Sequence, residues 1–158
     1  MNPKLIMTFG AVAILLPIIA LALLSIFTSA PKNLGAESGR LADCPSTPNC
    51  VSSQTDSEQH AIVPISVDDV DMALALLKQV LSSEHRCRVI EESEDYLRVE
   101  FTTALFRFVD DGEFLLDREA QVIHVRSASR AGASDLGLNR KRIEQIRNRL
   151  TAAVKNNE

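Results

Sequence analysis

The chain opens with a long apolar stretch. Residues Leu5 to Ala30 carry no charge, and 20 of these 26 residues are apolar. As an α-helix the stretch would be about 39 Å long, more than the roughly 30 Å hydrocarbon core of a bilayer. This length favours an uncleaved signal anchor or transmembrane helix over residues 1–30. A cleaved signal peptide is the alternative, since Thr28-Ser29-Ala30 has the small residues of a cleavage site.

A polar segment follows the apolar one. Residues 31–59 are rich in Pro, Gly, Ser, Asn and Thr and show almost no apolar periodicity. This composition is typical of linkers and loops. We therefore expect a tether that includes a loop between Cys44 and Cys50, followed by a globular domain over residues 60–155.

Two stretches of that domain have the apolar spacing of amphipathic helices. In the first, apolar residues recur every three or four positions from Val70 to Leu81, behind an acidic cluster that begins at Asp68. In the second, Ile143 to Val154 supply an apolar stripe whose other faces are charged. The pattern predicts one helix near the start of the domain and one at its end.

Strand-like patterns occupy the space between the helices. Leu97, Val99 and Phe101 alternate with Arg98 and Glu100, which indicates an antiparallel sheet covered on one face. We expect strands at residues 62–67, 88–91, 96–102, 105–109, 113–117 and 121–127, with residues 110–112 forming a hairpin turn. The sequence therefore predicts an α+β fold: an antiparallel meander of about five to six strands, two helices packed on one face, and one preceding transmembrane helix.

Charge and motifs narrow the range of partners. Of the 17 basic residues only Lys4 precedes residue 31, so residues 31–158 carry 16 basic and 21 acidic groups, a net charge of −5. This mild acidity argues against nucleic acid as a partner. The chain has no Gly-rich phosphate loop, dinucleotide fingerprint or CxxC pair, and its three histidines are widely spaced, so we expect neither cofactor nor metal.

Two cysteines suggest an oxidising compartment. Cys44 and Cys50 are six residues apart, and Pro45, Pro48 and Asn49 between them favour a turn that brings the thiols together. A disulfide there would persist only outside a reducing cytosol. A metal pair and free thiols are the other interpretations. Cys87, in an apolar alternation, is expected to be a buried unpaired thiol.

A dense polar cluster joins the last strand to the last helix. Guanidinium groups, hydroxyls and helix-terminal amides together are the chemistry of an anion site. The alternative is a purely structural lock, in which Asp135 pairs with Arg130 or Arg140 and Ser134 caps the helix. The cluster comprises Arg126, Ser127, Ser129, Arg130, Ser134, Asp135, Asn139 and Arg140.

Carboxylates at the expected hairpin turn are the other chemical candidates. Asp110, Asp111 and Glu113 could serve a hydrolase or another enzyme together with His124, although carboxylates at a turn are usually only solvated. No nucleophile elbow accompanies them, and the sequence contains no complete catalytic set, so no catalytic residue is assigned. An enzyme of this kind would need its groups to converge in one cleft.

Three motifs, in order, carry a resemblance to a known family. They are CPSTPNCVSS at residues 44–53, FRFVDDGEF at 106–114, and VRSASR at 125–130, which is followed by SDLG at 134–137 and NR at 139–140. Between about Leu41 and Leu150 the chain resembles domain-of-unknown-function family 1499. The resemblance implies a bacterial envelope protein, often behind a membrane segment, and it implies that the Asp-Asp and Arg-Ser-Arg segments lie close together. It implies no particular activity.

These observations converge on one expectation. We expect a non-enzymatic, single-pass protein of the bacterial inner membrane, anchored through residues 5–30, with its globular domain on the periplasmic side. Its partners would be the membrane and either an envelope protein or an anionic small molecule. The ligand class expected for the polar cluster is a small anion or a lipid headgroup.

Overall fold

A computed structural model describes residue 16 and residues 28–156. Most of the predicted membrane helix therefore lies outside the described residues. Among those that are described, no helix has both the length and the apolar character needed to cross a bilayer. In chain order the elements are β1 (Ala36–Glu37), β2 (Arg40–Leu41), β3 (Cys50–Ser52), β4 (Ile65–Ser66), α1 (Val70–Ser82), β5 (Cys87–Glu92), β6 (Tyr96–Thr102), β7 (Val109–Asp117), β8 (Val122–Ser129) and α2 (Leu138–Lys155).

One antiparallel sheet organises the domain. Its strand order is β3-β8-β7-β6-β5, and the short β4 pairs with the free edge of β8 beyond β3. The β6-β7-β8 meander is in continuous register, with Glu113 opposite both Arg98 and Arg126. A separate two-stranded hairpin is formed by β1 and β2. The antiparallel sheet and two helices confirm the predicted α+β class.

Both helices start where the sequence supplies partners for free backbone amides. At the start of α1 the Asp69 carboxylate accepts hydrogen bonds from the amides of Asp71 and Met72, at 3.0 and 2.9 Å. Gly137 precedes α2 with a φ of 78°, a conformation that glycine adopts without steric penalty. Asp69 belongs to the acidic cluster expected before the first helix, whereas the Ser134 cap expected for the second helix is wrong, because Gly137 is the residue that precedes α2.

The core lies between the helices and one face of the sheet. A single buried cluster contains apolar residues from α1, α2 and the three central strands, so both helices cover the same face. Its fully buried members include Leu77, Ile143, Ile146, Phe114, Leu97 and Val125. On the opposite face a small cluster of Leu41, Tyr96 and Leu115 connects the β1-β2 hairpin to the sheet.

The predicted hairpin turn at residues 110–112 is wrong. Asp110, Asp111 and Gly112 lie inside the nine-residue strand β7, paired with β6 on one side and β8 on the other. Gly112 is required for space, because a Cβ there would lie 2.5 Å from Phe101 Cε2 and 3.0 Å from Val99 Cγ2. Of the predicted strand at residues 105–109, residues 105–108 form the loop before β7, and Val109 is the first residue of β7.

The segment predicted as a tether also differs from the structure. Within residues 31–59, β3 joins the main sheet and β1 and β2 form the hairpin, so the folded domain begins well before residue 60. The strand expected at residues 62–67 is reduced to the two residues of β4. Strands of two or three residues are too short for an apolar period to show in the sequence.

Candidate functional site

The sheet face away from the helices is charged, and we call it the polar face. Since successive residues of a strand point to opposite faces, the alternation that fills the core on one side places these side chains on the other. In register across β6, β7 and β8 the polar face comprises Tyr96, Arg98, Glu100, Asp111, Glu113 and Arg126, and Arg130, which directly follows β8, joins them.

Glu113 and Arg126 form the central ion pair of the polar face. Arg126 Nη1 donates to Glu113 Oε2 at 2.8 Å, and the two residues are 3% and 0% exposed. Glu113 Oε1 accepts from the Tyr96 hydroxyl at 2.8 Å and from the Gly35 amide at 2.9 Å. Burial and the neighbouring Glu113 charge raise the pKa of Tyr96 above its usual value. Glu113 is therefore held by three donors.

A second ion-pair group is centred on Arg130. Its Nε and Nη2 donate to the two Asp111 oxygens at 2.7 and 2.6 Å, and Nη2 also lies 2.5 Å from Glu100. The hydrogen bond to Asp111 is the main reason that the pKa of Arg130 is raised. Burial alone would raise the pKa of Glu100, but hydrogen bonds from Arg88 and Arg130 outweigh burial and lower it. Arg98 adds a contact to Asp111 at 3.6 Å.

A cavity of about 260 Å³ lies between the polar face and the segment that precedes β3. We call it the Arg126 pocket. It is lined by Pro31, Asn33, Asp43, Cys44, Pro45, Asp111, Arg126, Ala128 and Ser129. Among the described residues, Arg126 Nε is a buried side-chain atom without a hydrogen-bond partner, and Nη2 makes only a 3.5 Å contact to the Asp43 carbonyl.

The disulfide forms part of this pocket. Cys44 and Cys50 are bonded, with their Cα atoms 5.7 Å apart, as the sequence predicts. Cys50 lies in β3 opposite Ala128, so the bond fixes the segment before β3 against the polar face. Cys87 is unpaired and half-buried, and burial, with a smaller effect of Glu84, raises the pKa of its thiol to about 11.

On the helix side of the sheet, Asn139 links the predicted cluster to the cysteine loop. The Ser127 hydroxyl donates to Asn139 Oδ1 at 2.6 Å, and Asn139 Nδ2 donates to the Ser129 hydroxyl and to the Asn49 carbonyl at 3.0 and 3.1 Å. Asn49 in turn donates to the Gly132 carbonyl at 2.7 Å. These groups satisfy one another, so their role is to hold β3, β8 and α2 together.

Ser134, Asp135 and Arg140 of the predicted cluster also bind groups within the protein. Asp135 accepts from the amides of Gly137 and Asn139, at 2.9 and 2.7 Å, and Ser134 accepts from the Leu136 amide. Arg140 donates to the carbonyls of Ala61 and Gln59. The expected pairing of Asp135 with Arg130 or Arg140 is wrong, because the carboxylate is occupied by backbone amides at the start of α2.

The predicted carboxylates do not converge with His124. Asp110 points to the helix side, where it accepts from Arg142 Nη2 at 2.7 Å, and Asp111 points to the polar face. His124 lies near the start of β8, opposite Leu115, and its ring is 3.2 Å from the Ser53 hydroxyl and 3.7 Å from Asp117. The shared cleft that a hydrolase would need is therefore not formed by these groups.

Several partners of the predicted cluster and carboxylates were not predicted from the sequence. They are Asn49, Tyr96, Glu100 and Arg142, none of which belongs to the stretch between β8 and α2. A signal existed for Tyr96 and Glu100, since the alternation in β6 places both opposite the apolar face. Asn49 and Arg142 gave no comparable signal, because a buried amide and a helix arginine resemble solvated residues in sequence.

A family model described as a protein of unknown function, DUF1499, matches residues 40–150. The chain belongs to the DUF1499 family. The match runs from β2 to the fourth turn of α2, so it covers the polar face, the disulfide and most of the residues that line the Arg126 pocket. A search of curated proteins finds no match to the chain.

Proposed function

We propose that this DUF1499 protein is a non-enzymatic domain anchored in the bacterial inner membrane by residues 5–30, with its folded part in the periplasm. Its task is to bind a small anion or a lipid headgroup in the Arg126 pocket. The membrane is its first partner. The site differs from the sequence prediction, since of the eight cluster residues only Arg126 and Ser129 line the pocket.

Two features support the anchor and the compartment. The 26 uncharged residues from Leu5 to Ala30 are long enough to span a bilayer and lie directly before the folded domain. The Cys44–Cys50 disulfide fits an oxidising compartment such as the periplasm. An apolar anchor followed within about fifteen residues by a disulfide is consistent with a domain exported across the inner membrane.

Arg126 Nε carries the binding proposal. It is buried, it has no hydrogen-bond partner among the described residues, and its side chain lines a cavity. Leaving a buried donor unsatisfied costs about 1–3 kcal/mol, more for a charged group. A ligand oxygen would satisfy Nε once the guanidinium turns toward the cavity, and guanidinium groups bind phosphate and carboxylate oxygens in geometrically defined pairs.

Thermal unfolding of the full chain in detergent micelles, with and without inorganic phosphate, tests the binding. A ligand that binds only the folded state raises the melting temperature. At a hundredfold excess over Kd such a ligand raises the free energy of unfolding by about 2.7 kcal/mol. We expect phosphate to stabilise the wild type and an Arg140→Gln control, in which an arginine outside the pocket is lost.

Ala128→Leu is the matched pocket variant. Ala128 lines the cavity without taking part in an ion pair, so leucine would fill the space and leave Glu113 and Arg126 paired. We expect the phosphate-dependent shift to disappear in this variant while it remains folded. An unchanged shift in Ala128→Leu, or no shift in the wild type, would contradict binding at Arg126.

The anchor is tested separately. After alkaline carbonate washing of membranes from cells that express the full chain, we expect the protein in the membrane pellet. A chain lacking residues 5–27 should be found in the soluble fraction.

The oxidising compartment has its own test. Thiol reagents that shift the protein on a gel should modify Cys87 alone when the sample is unfolded but not reduced. Recovery of the full chain in the wash, or three modified cysteines, would contradict the proposed location.

A further inference from the structure

We infer that the Arg126 pocket takes the headgroup of an amine-bearing phospholipid, with the phosphate on Arg126 and the ammonium beside Asp43. The inference rests on the proposed function, which supplies the anchor and the binding of an anionic oxygen group. It adds the class of ligand, a phosphodiester that carries a primary amine.

Asp43 distinguishes this ligand from a simple anion. It lines the pocket, its carbonyl is 3.5 Å from Arg126 Nη2, and its exposed carboxylate has no partner among the described residues. The other carboxylate of the pocket, Asp111, is neutralised by two short hydrogen bonds from Arg130. The pocket therefore offers one unsatisfied cationic donor and one unpaired carboxylate.

These two groups favour a ligand of mixed charge. Inorganic phosphate on Arg126 would leave the Asp43 carboxylate of the same pocket unpaired, so it should bind less tightly than a ligand that pairs with both groups. An ammonium group two carbons away from the phosphate would instead pair with Asp43. The size of the cavity agrees, since 260 Å³ corresponds to roughly nine waters at about 30 Å³ each, and a phosphoethanolamine group has about eight non-hydrogen atoms.

The position of the pocket favours the bilayer as the source of the headgroup. Pro31 and Asn33 line the cavity and directly follow the apolar segment that ends at Ala30. Two strongly exposed leucines lie in loops at the same end of the sheet: Leu105 (78%) before β7 and Leu136 (96%) after β8. The loops leave the sheet together, because the Arg130 amide donates to the Val109 carbonyl. Exposed apolar side chains at one end of a sheet suit contact with a membrane surface.

The first arm of the test uses soluble headgroups on the full chain in micelles. We expect glycerophosphoethanolamine to bind the wild type about fivefold more tightly than glycerol phosphate, the scale of one solvent-exposed ion pair. In Asp43→Asn this preference should fall to near one while glycerol phosphate still binds. Glu37→Gln, which removes an exposed carboxylate outside the pocket, should keep the preference.

The second arm uses nanodiscs that contain equal amounts of phosphatidylethanolamine and phosphatidylglycerol. We expect native mass spectrometry to find the wild-type chain enriched in bound phosphatidylethanolamine, and the enrichment to be absent in Asp43→Asn. If the chain prefers glycerophosphoethanolamine in solution but is not enriched in phosphatidylethanolamine in nanodiscs, the bilayer is not the source of the headgroup. Phosphate binding without any amine preference would overturn the inference alone, whereas no binding in either arm would overturn the proposed function as well.

Discussion

Asp110 and Asp111 are consecutive in β7 and bind different arginines on opposite faces of the sheet. Asp110 pairs with Arg142 of α2 on the helix side, and Asp111 pairs with Arg130, the residue after β8, on the polar face. Each aspartate is 1% exposed. Each therefore depends on its own arginine, and the loss of either partner leaves a buried charge.

The two aspartates should differ in their contribution to stability. We expect Asp111→Asn to lower the free energy of unfolding by about 3–5 kcal/mol, since Arg130 then loses its main partner in a buried site. Asp110→Asn should cost less, because Arg142 also contacts Asn139 and stacks 4.5 Å from the centre of the Phe101 ring. Chemical denaturation of the two variants measures the difference.

Glu94→Gln provides the control for these variants. Its side chain is 91% exposed, so the stability should change by no more than about 0.5 kcal/mol. Equal losses in Asp110→Asn and Asp111→Asn would show that the Arg142 contacts to Phe101 and Asn139 do not compensate.

The Cys44–Cys50 bond should contribute measurably to stability. Closing a loop of this length stabilises a fold by about 2 kcal/mol in the chain-entropy description. We expect Cys44→Ser/Cys50→Ser to lower the free energy of unfolding by that amount, and a reducing agent to have the same effect on the wild type. A reducing agent that also destabilises the double variant would point to another cause.

Cys87 should react slowly with alkylating reagents. Burial raises the pKa of its thiol from 9.0 to about 11, and only the thiolate is a strong nucleophile. At pH 8 the folded protein should therefore react with iodoacetamide about a hundredfold more slowly than the chain unfolded in guanidinium chloride. Mass spectrometry of timed, quenched samples measures both rates. Equal rates would mean that the thiol is freely accessible in the folded state.

Glu100 should make the fold sensitive to acid. Its folded-state pKa lies below the ordinary 4.5, so it contributes stability above that pH and loses the contribution as the pH falls through the lowered pKa. We expect Glu100→Gln to be less stable than wild type at pH 7 and to lose less stability between pH 5 and pH 3. Denaturation curves at fixed pH steps test this. Parallel pH profiles for the two proteins would contradict it.

The exposed leucine after β8 should lie near the bilayer. In Leu136→Cys with Cys87→Ser, a fluorophore at residue 136 should be quenched by nitroxide-labelled lipids in nanodiscs. The same fluorophore in Glu119→Cys, in the exposed turn at the other end of the sheet, should be quenched several times less. Equal quenching would contradict the orientation that brings the Arg126 pocket to lipid headgroups.

The parts of the fold that the sequence predicts are those with a local period. The helix from Val70 and the strand at Tyr96–Thr102 were predictable, because their apolar residues recur at the spacing that one buried face demands. β7 was not predictable. Asp110 and Asp111 look like a solvated turn, and the arginines that make their burial tolerable lie 32 and 19 residues further along the chain.

The candidate site was only partly predictable for the same reason. Side chains alternate along an extended chain, so the sequence alone puts Arg126 and Arg130 on one side and Ser127 and Ser129 on the other, and their hydrogen bonds in the structure agree. The pocket itself depends on the segment before β3, whose position is set by the disulfide and by backbone pairing with β8. A linker-like composition carries no information about such long-range contacts.

Gly112 has a consequence for how this fold can vary. Its missing side chain leaves the space that the Phe101 ring occupies, 2.5 Å from where a Cβ would stand. The side chains at positions 112 and 101 therefore compete for the same space on the core face of the sheet. A larger residue at 112 is compatible with the sheet when the side chains at 101 and 99 shift or become smaller, so related sequences should exchange bulk among these positions rather than add it at any one of them.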